Sequence, residues 1–378
     1  MPPIRLAFVI TELWPGGAER CLANLAMGLD RERFEQVVYS LKVRPPAGKD
    51  QLVNQLEAAG VPVRFLELRS PGQILSAVRK LAGHFSAQRP QIVQSFLFHA
   101  NIVGSAAASR ANVPHVALGV RVADPRRWRA WAERWLGRRA DKIVCVSQGV
   151  ADFCRQRGYP SDKLLVIPNG VDVERFANAT PIHPTALGLP ADRKFFVFIG
   201  RLDRQKGLAD LLQHLPDTLA ANPRHDFVLV GDGPERTSLA GLAAQLKIAE
   251  RVHFAGWRDD VPAILAGAEL LVLPSRWEGM PNVVLEAMAA GKPVAATRAH
   301  GVVELFGQGA DRQTVAVDQP GTLAAKIGDF LQSPQALSEL RQLNRLRAEH
   351  EFSLAAMIAR YDRLYTALAA GKEGQNFF

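Results

Sequence analysis

Three cysteines in 378 residues are too few and too scattered for a disulfide framework. Cys21, Cys145 and Cys154 form no Cys-x-x-Cys pair and no Cys/His metal spacing, which excludes a structural zinc motif and fits a reducing cytoplasm. No apolar run approaches the roughly 20 residues of a membrane helix. The early stretch IRLAFVI is short, lacks a cleavage site and runs into Thr-Glu, so it reads as a buried strand rather than a secretory leader. No Asp-x-Asp triplet occurs, and no catalytic metal or cofactor is predicted. Neither glycine-rich turn completes Gly-x-Gly-x-x-Gly, which argues against a nicotinamide oxidoreductase. There is no internal repeat, no low-complexity tract and no nucleic-acid-binding module, so nucleic acid is not an expected partner.

What is present is an ordinary globular composition, 48% apolar and 22% charged, on a chain long enough for two domains. The net charge of +9 is unevenly placed. Residues 1–172 hold 24 Lys/Arg against 14 Asp/Glu, whereas residues 173–378 hold 22 against 23. A basic half suits nucleic acid, an anionic membrane or a phosphorylated substrate, and charge alone does not choose among them.

Short β-branched runs alternate with amphipathic stretches along the whole chain, the pattern of βαβ units and parallel sheets. Strands are predicted at 6–10, 36–41, 61–66, 92–95, 115–118 and 142–146, and helices, for example, at 18–29 and 101–110. The turn residues of VIPNGVD (166–172) close this set. A second set is predicted at 194–200, 226–233, 251–256, 269–275, 292–297 and 314–317. Between the sets, Pro181, Pro184 and Pro190 stand in a stretch of little periodicity. The domains expected are therefore 1–175, a linker at 176–192, 193–352, and a tail from 353 to 378. The tail's apolar stripe from Leu354 to Leu368 has helical spacing within a helical stretch predicted from 335 to 370. The predicted class is α/β, with two doubly wound Rossmann-like domains facing a central cleft. Ligands of such sheets bind beyond the carboxyl ends of the strands.

The residues just after the strands carry chemistry. Gly16-Gly17 opens a helix, where bare backbone amides can approach an anion; a plain turn is the alternative. In GRLDRQKG, Arg201 and Lys206 suit a pyrophosphate, or else belong to a solvated loop. Gly231 lets a base or ribose approach the backbone, and Trp257 follows another strand. Asp259-Asp260 is expected to cap a helix. SRWEGMPNVVLEAMAAGKP (275–293) sets Glu278 on a loop and Glu286 in the helix beyond it. Pro281 is expected in that helix's first turn, leaving the amides of Met280, Asn282 and Val283 for a diphosphate. Glu278 can then reach a sugar, and Glu286 the vicinal hydroxyls of a ribose. A single carboxylate beside helix amides is common, whereas two bracketing a phosphate-sized nest are not, which favours the binding reading over the alternative of a capping glutamate and a solvated helix glutamate.

Taken in order, GGAER (16–20), VSQGV (146–150), IPNGVD (167–172), GRLDRQKG (200–207), VGDGPER (230–236), FAGWRDDV (254–261) and the Glu-x7-Glu segment 278–294 resemble glycosyltransferase family 4 over nearly the full length. The resemblance implies the GT-B fold and a retaining hexosyl transfer, without a metal, from a nucleotide diphosphate sugar as co-substrate. It assigns Arg201 and Lys206 to the donor diphosphate, Glu278 to the donor sugar hydroxyls, Glu286 to the ribose, and Gly16 and Gly17 to the phosphates from the acceptor-side domain, with Gly279 among the donor-binding residues. It also implies that the last helix packs back on the first domain. The family's loop histidine after the fifth strand is missing, with Arg121 and Asp124 at that loop instead. His99, at the end of the preceding strand, is the candidate replacement, and Arg121 a candidate phosphate or acceptor contact.

RVADPRRWRAWAERWLGRRADK (121–142) places Trp128, Trp131 and Trp135 on one helical face among eight basic residues. Such a face can lie on an anionic membrane; the alternative is that the tryptophans pack on the sheet. The expected acceptor is a glycan or a lipid-linked molecule of a cell-surface polysaccharide, lipopolysaccharide or glycolipid pathway. The expected location is cytoplasmic, at the inner face of the plasma membrane. A nucleotide-sugar 2-epimerase on the same fold and a non-catalytic sugar-nucleotide or glycan binder are the competing readings.

Overall fold

A computed structural model describes residues 2–124 and 126–371. The chain divides into two compact units, one running to Gly170 and resuming at Leu354, the other spanning Val171–Ser353.

The first unit is a parallel sheet of seven strands: β1 (Ile4–Ile10), β2 (Phe34–Ser40), β3 (Val63–Phe65), β4 (Ile92–Phe96), β5 (His115–Val120), β6 (Lys142–Cys145) and β7 (Leu164–Val166), in the order β3-β2-β1-β4-β5-β6-β7. Its helices are α1 (Gly17–Gly28), α2 (Gln51–Ala58), α3 (Ile74–Gln88), α4 (Phe98–Arg110), α5 (Arg127–Gly137) and α6 (Gln148–Gln156). The central strands read as near-continuous apolar runs because helices cover both faces of the sheet, and β4 is buried at every position. The seventh strand lies in a segment where only the turn after it has a clear sequence signal.

The second unit has six parallel strands: β8 (Lys194–Ile199), β9 (His225–Val230), β10 (Val252–Gly256), β11 (Leu271–Leu273), β12 (Val294–Thr297) and β13 (Thr314–Val315). Their order is β10-β9-β8-β11-β12-β13. Its helices are α7 (Val173–Ala177), α8 (Leu208–Leu212), α9 (Leu215–Ala221), α10 (Arg236–Gln245), α11 (Val261–Gly267), α12 (Asn282–Ala289), α13 (Val303–Phe306), α14 (Ala310–Gln313), α15 (Pro320–Gln332) and α16 (Pro334–Glu351). In each sheet the first strand lies between the second strand and a later one, β1 between β2 and β4, β8 between β9 and β11. The chain changes direction of winding there, and the crevice at the carboxyl ends of those strands is where doubly wound sheets hold ligands.

Residues 176–192 form part of the second unit rather than a free linker. Phe176, Leu187 and Leu189 are buried, and the Ile182 amide donates to the Ala263 carbonyl at 2.9 Å. Three prolines removed helical periodicity without removing the anchoring side chains between them. The predicted continuous tail helix is likewise two helices. It breaks at Phe352-Ser353, where the Val171 amide takes the Phe352 carbonyl at 2.8 Å.

The second of these tail helices, α17 (Leu354–Ala369), belongs to the first unit. Met357, Tyr361, Leu364, Tyr365 and Leu368 form one buried stripe against α1 and β1. The Tyr365 ring lies 6.1 Å from Phe8 and 6.3 Å from Phe34, and Arg33 pairs with Asp362 at the rim. Truncating a fully buried aromatic forfeits its transfer energy and leaves a cavity. Tyr365→Ala is expected to cost about 3–5 kcal/mol, seen as a lower urea midpoint for the first unit; an unchanged midpoint would mean that the helix does not stabilise it.

Candidate active site

In the second unit the loops after β8, β9, β10 and β11 are stitched together by close backbone contacts. The Gly231 amide donates to the Gly256 carbonyl at 2.7 Å. A Cβ on Gly231, which has φ 128°, would stand 2.0 Å from the Gly200 carbonyl oxygen. One on Gly207, at φ 63°, would stand 2.2 Å from that of Pro274. No side chain fits either place, so glycine is what lets the Lys206 loop meet the loop after β11.

That meeting brings cation and carboxylate together. Lys206 Nζ donates to Glu278 Oε1 at 2.6 Å, and the Ser275 hydroxyl donates to the same oxygen at 2.7 Å. Glu278 is buried and Lys206 nearly so. Gln205 ties the two loops from the other side, its Nε2 donating to the Trp277 carbonyl at 2.8 Å. Ser275 carries no sequence signal beyond standing three residues before Glu278, and its role emerges only from this geometry. Arg201, at the end of β8, is 72% exposed, with Asp203 3.6 Å from its Nε. Gly279, Met280 and Pro281 are buried as they lead into α12, and Glu286 is buried on its second turn.

Two local expectations shift. Pro281 takes the capping position with extended backbone (φ −72°, ψ 114°) and α12 begins at Asn282. The helix amino end is thus formed by Asn282 and Val283, while the Val284 amide returns to the Pro281 carbonyl at 3.1 Å. Asp260 does not cap α11 through its side chain. Its carboxylate is taken by Arg258 at 2.6 and 2.9 Å, a fork-to-carboxylate pair stronger than a neutral cap. Trp257 is exposed just beyond β10.

In the first unit, Gly16 precedes α1 and Gly17 starts it. A Cβ on Gly16 would lie 2.3 Å from Glu19 Oε2, so the glutamate of GGAER sits directly beneath the glycine turn. Glu19 joins the candidate site: the GGAER motif is legible in the sequence, but not that its carboxyl faces inward. Burial pushes its pKa up to about 7, Glu12 adding to the rise while a backbone hydrogen bond and Arg121 oppose it. Arg121 lies inside the unit rather than on the loop surface. Its guanidinium donates to Asn169, interacts electrostatically with Cys21, Tyr361 and Glu19, and stacks 5.6 Å from the Phe96 ring. It is a fixed charge beneath the strand ends.

His99 lies in the first turn of α4, which begins three residues earlier than periodicity suggests. Leu97 before it has φ 74°, an unusual conformation for a residue with a side chain. His99 is exposed, and partial desolvation together with Arg129, Lys42 and Arg126 lowers its pKa, favouring the neutral imidazole. The tryptophans of α5 do not pack on the sheet. Trp128, Trp131 and Trp135 all face outward, whereas Ala130, Glu133 and Leu136 face in. Glu133 anchors the helix by accepting from Asn101 Nδ2 at 2.9 Å and from the Tyr159 hydroxyl at 3.0 Å.

Two parallel sheets whose strand ends carry these loops define a GT-B fold. The Glycosyltransferase Family 4 model matches residues 15–175, and the Glycosyl transferases group 1 model matches residues 180–347. A UDP-Gal:alpha-D-GlcNAc-diphosphoundecaprenol alpha-1,3-galactosyltransferase of Escherichia coli is 30% identical over 269 residues, covering 67% of this chain and 69% of that protein. The lipopolysaccharide core biosynthesis glycosyltransferase LpsE of Rhizobium meliloti is 32% identical over 210 residues, 56% of each chain. The structure of Anabaena Alr3699/HepE in complex with UDP and glucose superposes with a TM-score of 0.81 at 23% identity, covering 96% of this chain and 100% of that one. This chain belongs to glycosyltransferase family 4. It is a glycosyltransferase of the GT-B fold.

The raised Glu19 pKa has a defined sign. Below its unfolded value near 4.5 the carboxyl is protonated in both states; between about 4.5 and about 7 the unfolded chain has released that proton while the folded protein still holds it, so stability falls across this window and levels off above it. Glu19→Gln is expected to lift that loss, stabilising the first unit at pH 8 relative to pH 5 by on the order of 2–3 kcal/mol compared with the unsubstituted protein. Urea titrations at the two pH values measure it, and an identical offset at both would contradict the assignment.

Proposed function

We propose that the protein transfers a hexosyl group from a nucleotide diphosphate sugar to a glycan or lipid-linked acceptor during assembly of a cell-surface polysaccharide, lipopolysaccharide or glycolipid. The transfer retains the anomeric configuration and needs no metal ion. The observation that carries the donor side is the gathering of Lys206, Glu278 and Glu286 around the amino end of α12. Among the described residues the Lys206 ammonium bonds Glu278, leaving two N–H donors to turn toward a diphosphate. Arg201 offers an exposed guanidinium fork at the neighbouring strand end. As the sugar–phosphate bond breaks, negative charge grows on the leaving diphosphate. Two cations and the helix amides are then placed to stabilise it without a divalent ion. Glu278 accepts from the donor sugar's hydroxyls, held in place by Lys206 and Ser275. Glu286 accepts from the ribose, and Gly231 and Trp257 border the base. Gly16 and Gly17 present amides to phosphate in the first unit, and His99 stands at the acceptor-side strand ends.

The relatives support the substrate class. One, by its name, uses a diphosphoundecaprenol-linked sugar, and another builds lipopolysaccharide core. Lys206→Ala and Glu278→Ala should each lower kcat by roughly 10²–10³, while excess EDTA leaves the rate unchanged. Wild-type rates in both variants would overturn the donor site, and loss of activity in EDTA would overturn the metal-free mechanism.

The acceptor side carries its own feature. No helix among the described residues is long and apolar enough to cross a membrane. The outward tryptophans of α5, with Arg129 over Trp128 at 5.4 Å and Arg139 over Trp135 at 4.6 Å, suit the headgroup layer of the anionic inner face of the plasma membrane. Co-sedimentation with phosphatidylglycerol-rich vesicles should fall in Trp131→Ala/Trp135→Ala and at high salt. Equal sedimentation of variant and parent would remove this contact.

A further inference from the structure

Four adjacent strands of the first sheet, β2, β1, β4 and β5, deliver their following loops to one edge. These loops carry more cations than carboxylates. Asp124 Oδ2 is shared between Arg126 at 2.7 Å and Arg129 at 3.0 Å, which leaves one guanidinium charge uncompensated. Lys42 meets Glu12 at 2.6 Å, one for one. Arg121, buried in the same unit, is held by Asn169 and interacts with the Glu19 carboxyl. Arg126, Arg129 and Lys42 are all near enough to act on the His99 ring.

The cations border an aromatic corner. The Phe98 ring stands edge to face with His99 at 5.3 Å and with Trp128 at 5.2 Å, and the Arg129 guanidinium lies 4.8 Å above Phe98. Shared pairing to Asp124 and stacking on Phe98 hold the Arg129 fork in place, the preorganisation that bidentate phosphate recognition uses. Trp128 also begins the outward stripe of α5, so the aromatic surface continues from this corner to Trp131 and Trp135.

We propose that this edge is a subsite for a lipid-linked phosphate: Lys42, Arg126 and Arg129 take the phosphate oxygens, and the apolar chain runs over Phe98 and Trp128 along α5. The proposal rests on the transferase reading for the ligand's role as acceptor, and on this edge alone for its binding. It distinguishes a phosphate-linked acceptor from a neutral glycan, which would have no use for the surplus guanidinium.

Calorimetry of the full chain with farnesyl diphosphate, inorganic pyrophosphate and farnesol tests it. A Lys206→Ala background silences the diphosphate site of the second unit. Farnesyl diphosphate should bind tightest. Arg126→Gln/Arg129→Gln should weaken it on the order of tenfold or more, and Trp128→Ala should weaken it without changing pyrophosphate binding. Farnesol bound as well as farnesyl diphosphate, or charge variants that bind like the parent, would overturn the phosphate subsite. Pyrophosphate bound as tightly as farnesyl diphosphate would overturn the lipid part. UDP binding by the same arginine and tryptophan variants with Lys206 restored shows that they are folded. Absence of UDP binding in the unsubstituted protein, with farnesyl diphosphate binding intact, would count against the transferase reading and leave this subsite standing.

Discussion

Parallel strands bring all their carboxyl ends to one edge of a sheet, and every candidate residue of this protein depends on that constraint. A strand that stops at Ile199 and another at Leu273 are neighbours in space because the winding reverses between them. The loops that follow can then touch, and Lys206 reaches Glu278 across 72 residues of sequence. In the first unit the same reversal sets the loops after β1, β2, β4 and β5 side by side. Residues distant in sequence become one chemical surface through the direction of the hydrogen-bond ladder.

Close approach at these edges is a matter of missing side chains as much as of present ones. At Gly207 and Gly231 the backbone adopts positive φ and faces a carbonyl too near for any Cβ. Gly16 rests on a glutamate whose pKa burial raises to about 7, so that part of it still holds its proton near neutral pH. A carboxylate fully ionised under an anion-binding turn would oppose the anion; a buried one can avoid that repulsion by holding its proton. The strand ends of the two sheets therefore differ in charge, the second carrying exposed and half-buried cations, the first a buried arginine and a partly protonated acid.

The charge asymmetry along the chain acquires a location in the structure. Much of the positive excess of residues 1–172 lies between Arg121 and Lys142, in and around α5. That helix is held by a buried glutamate on one side and shows three tryptophans on the other. Arginine stacking covers part of that exposed aromatic face, as at Arg139 over Trp135.

The sequence by itself determined the fold class and the family, and it marked the candidate donor-side residues. Apolar runs at regular spacing dictate parallel strands, and the Glu-x7-Glu segment and the Arg201–Lys206 loop are local patterns that survive without coordinates. The inward turn of Glu19, the interior position of Arg121, the use of Ser275 to hold Glu278 and the outward face of α5 were decided by tertiary structure. Each depends on what lies across a gap in sequence: Arg121 on Asn169, Tyr361 and Phe96, and Ser275 on the loop bearing Lys206. Periodicity announces that a residue has a buried or an exposed side, but only packing settles which neighbour occupies that side. That is why a tail read as one helix became two, and why a proline-rich stretch read as a linker became part of a core.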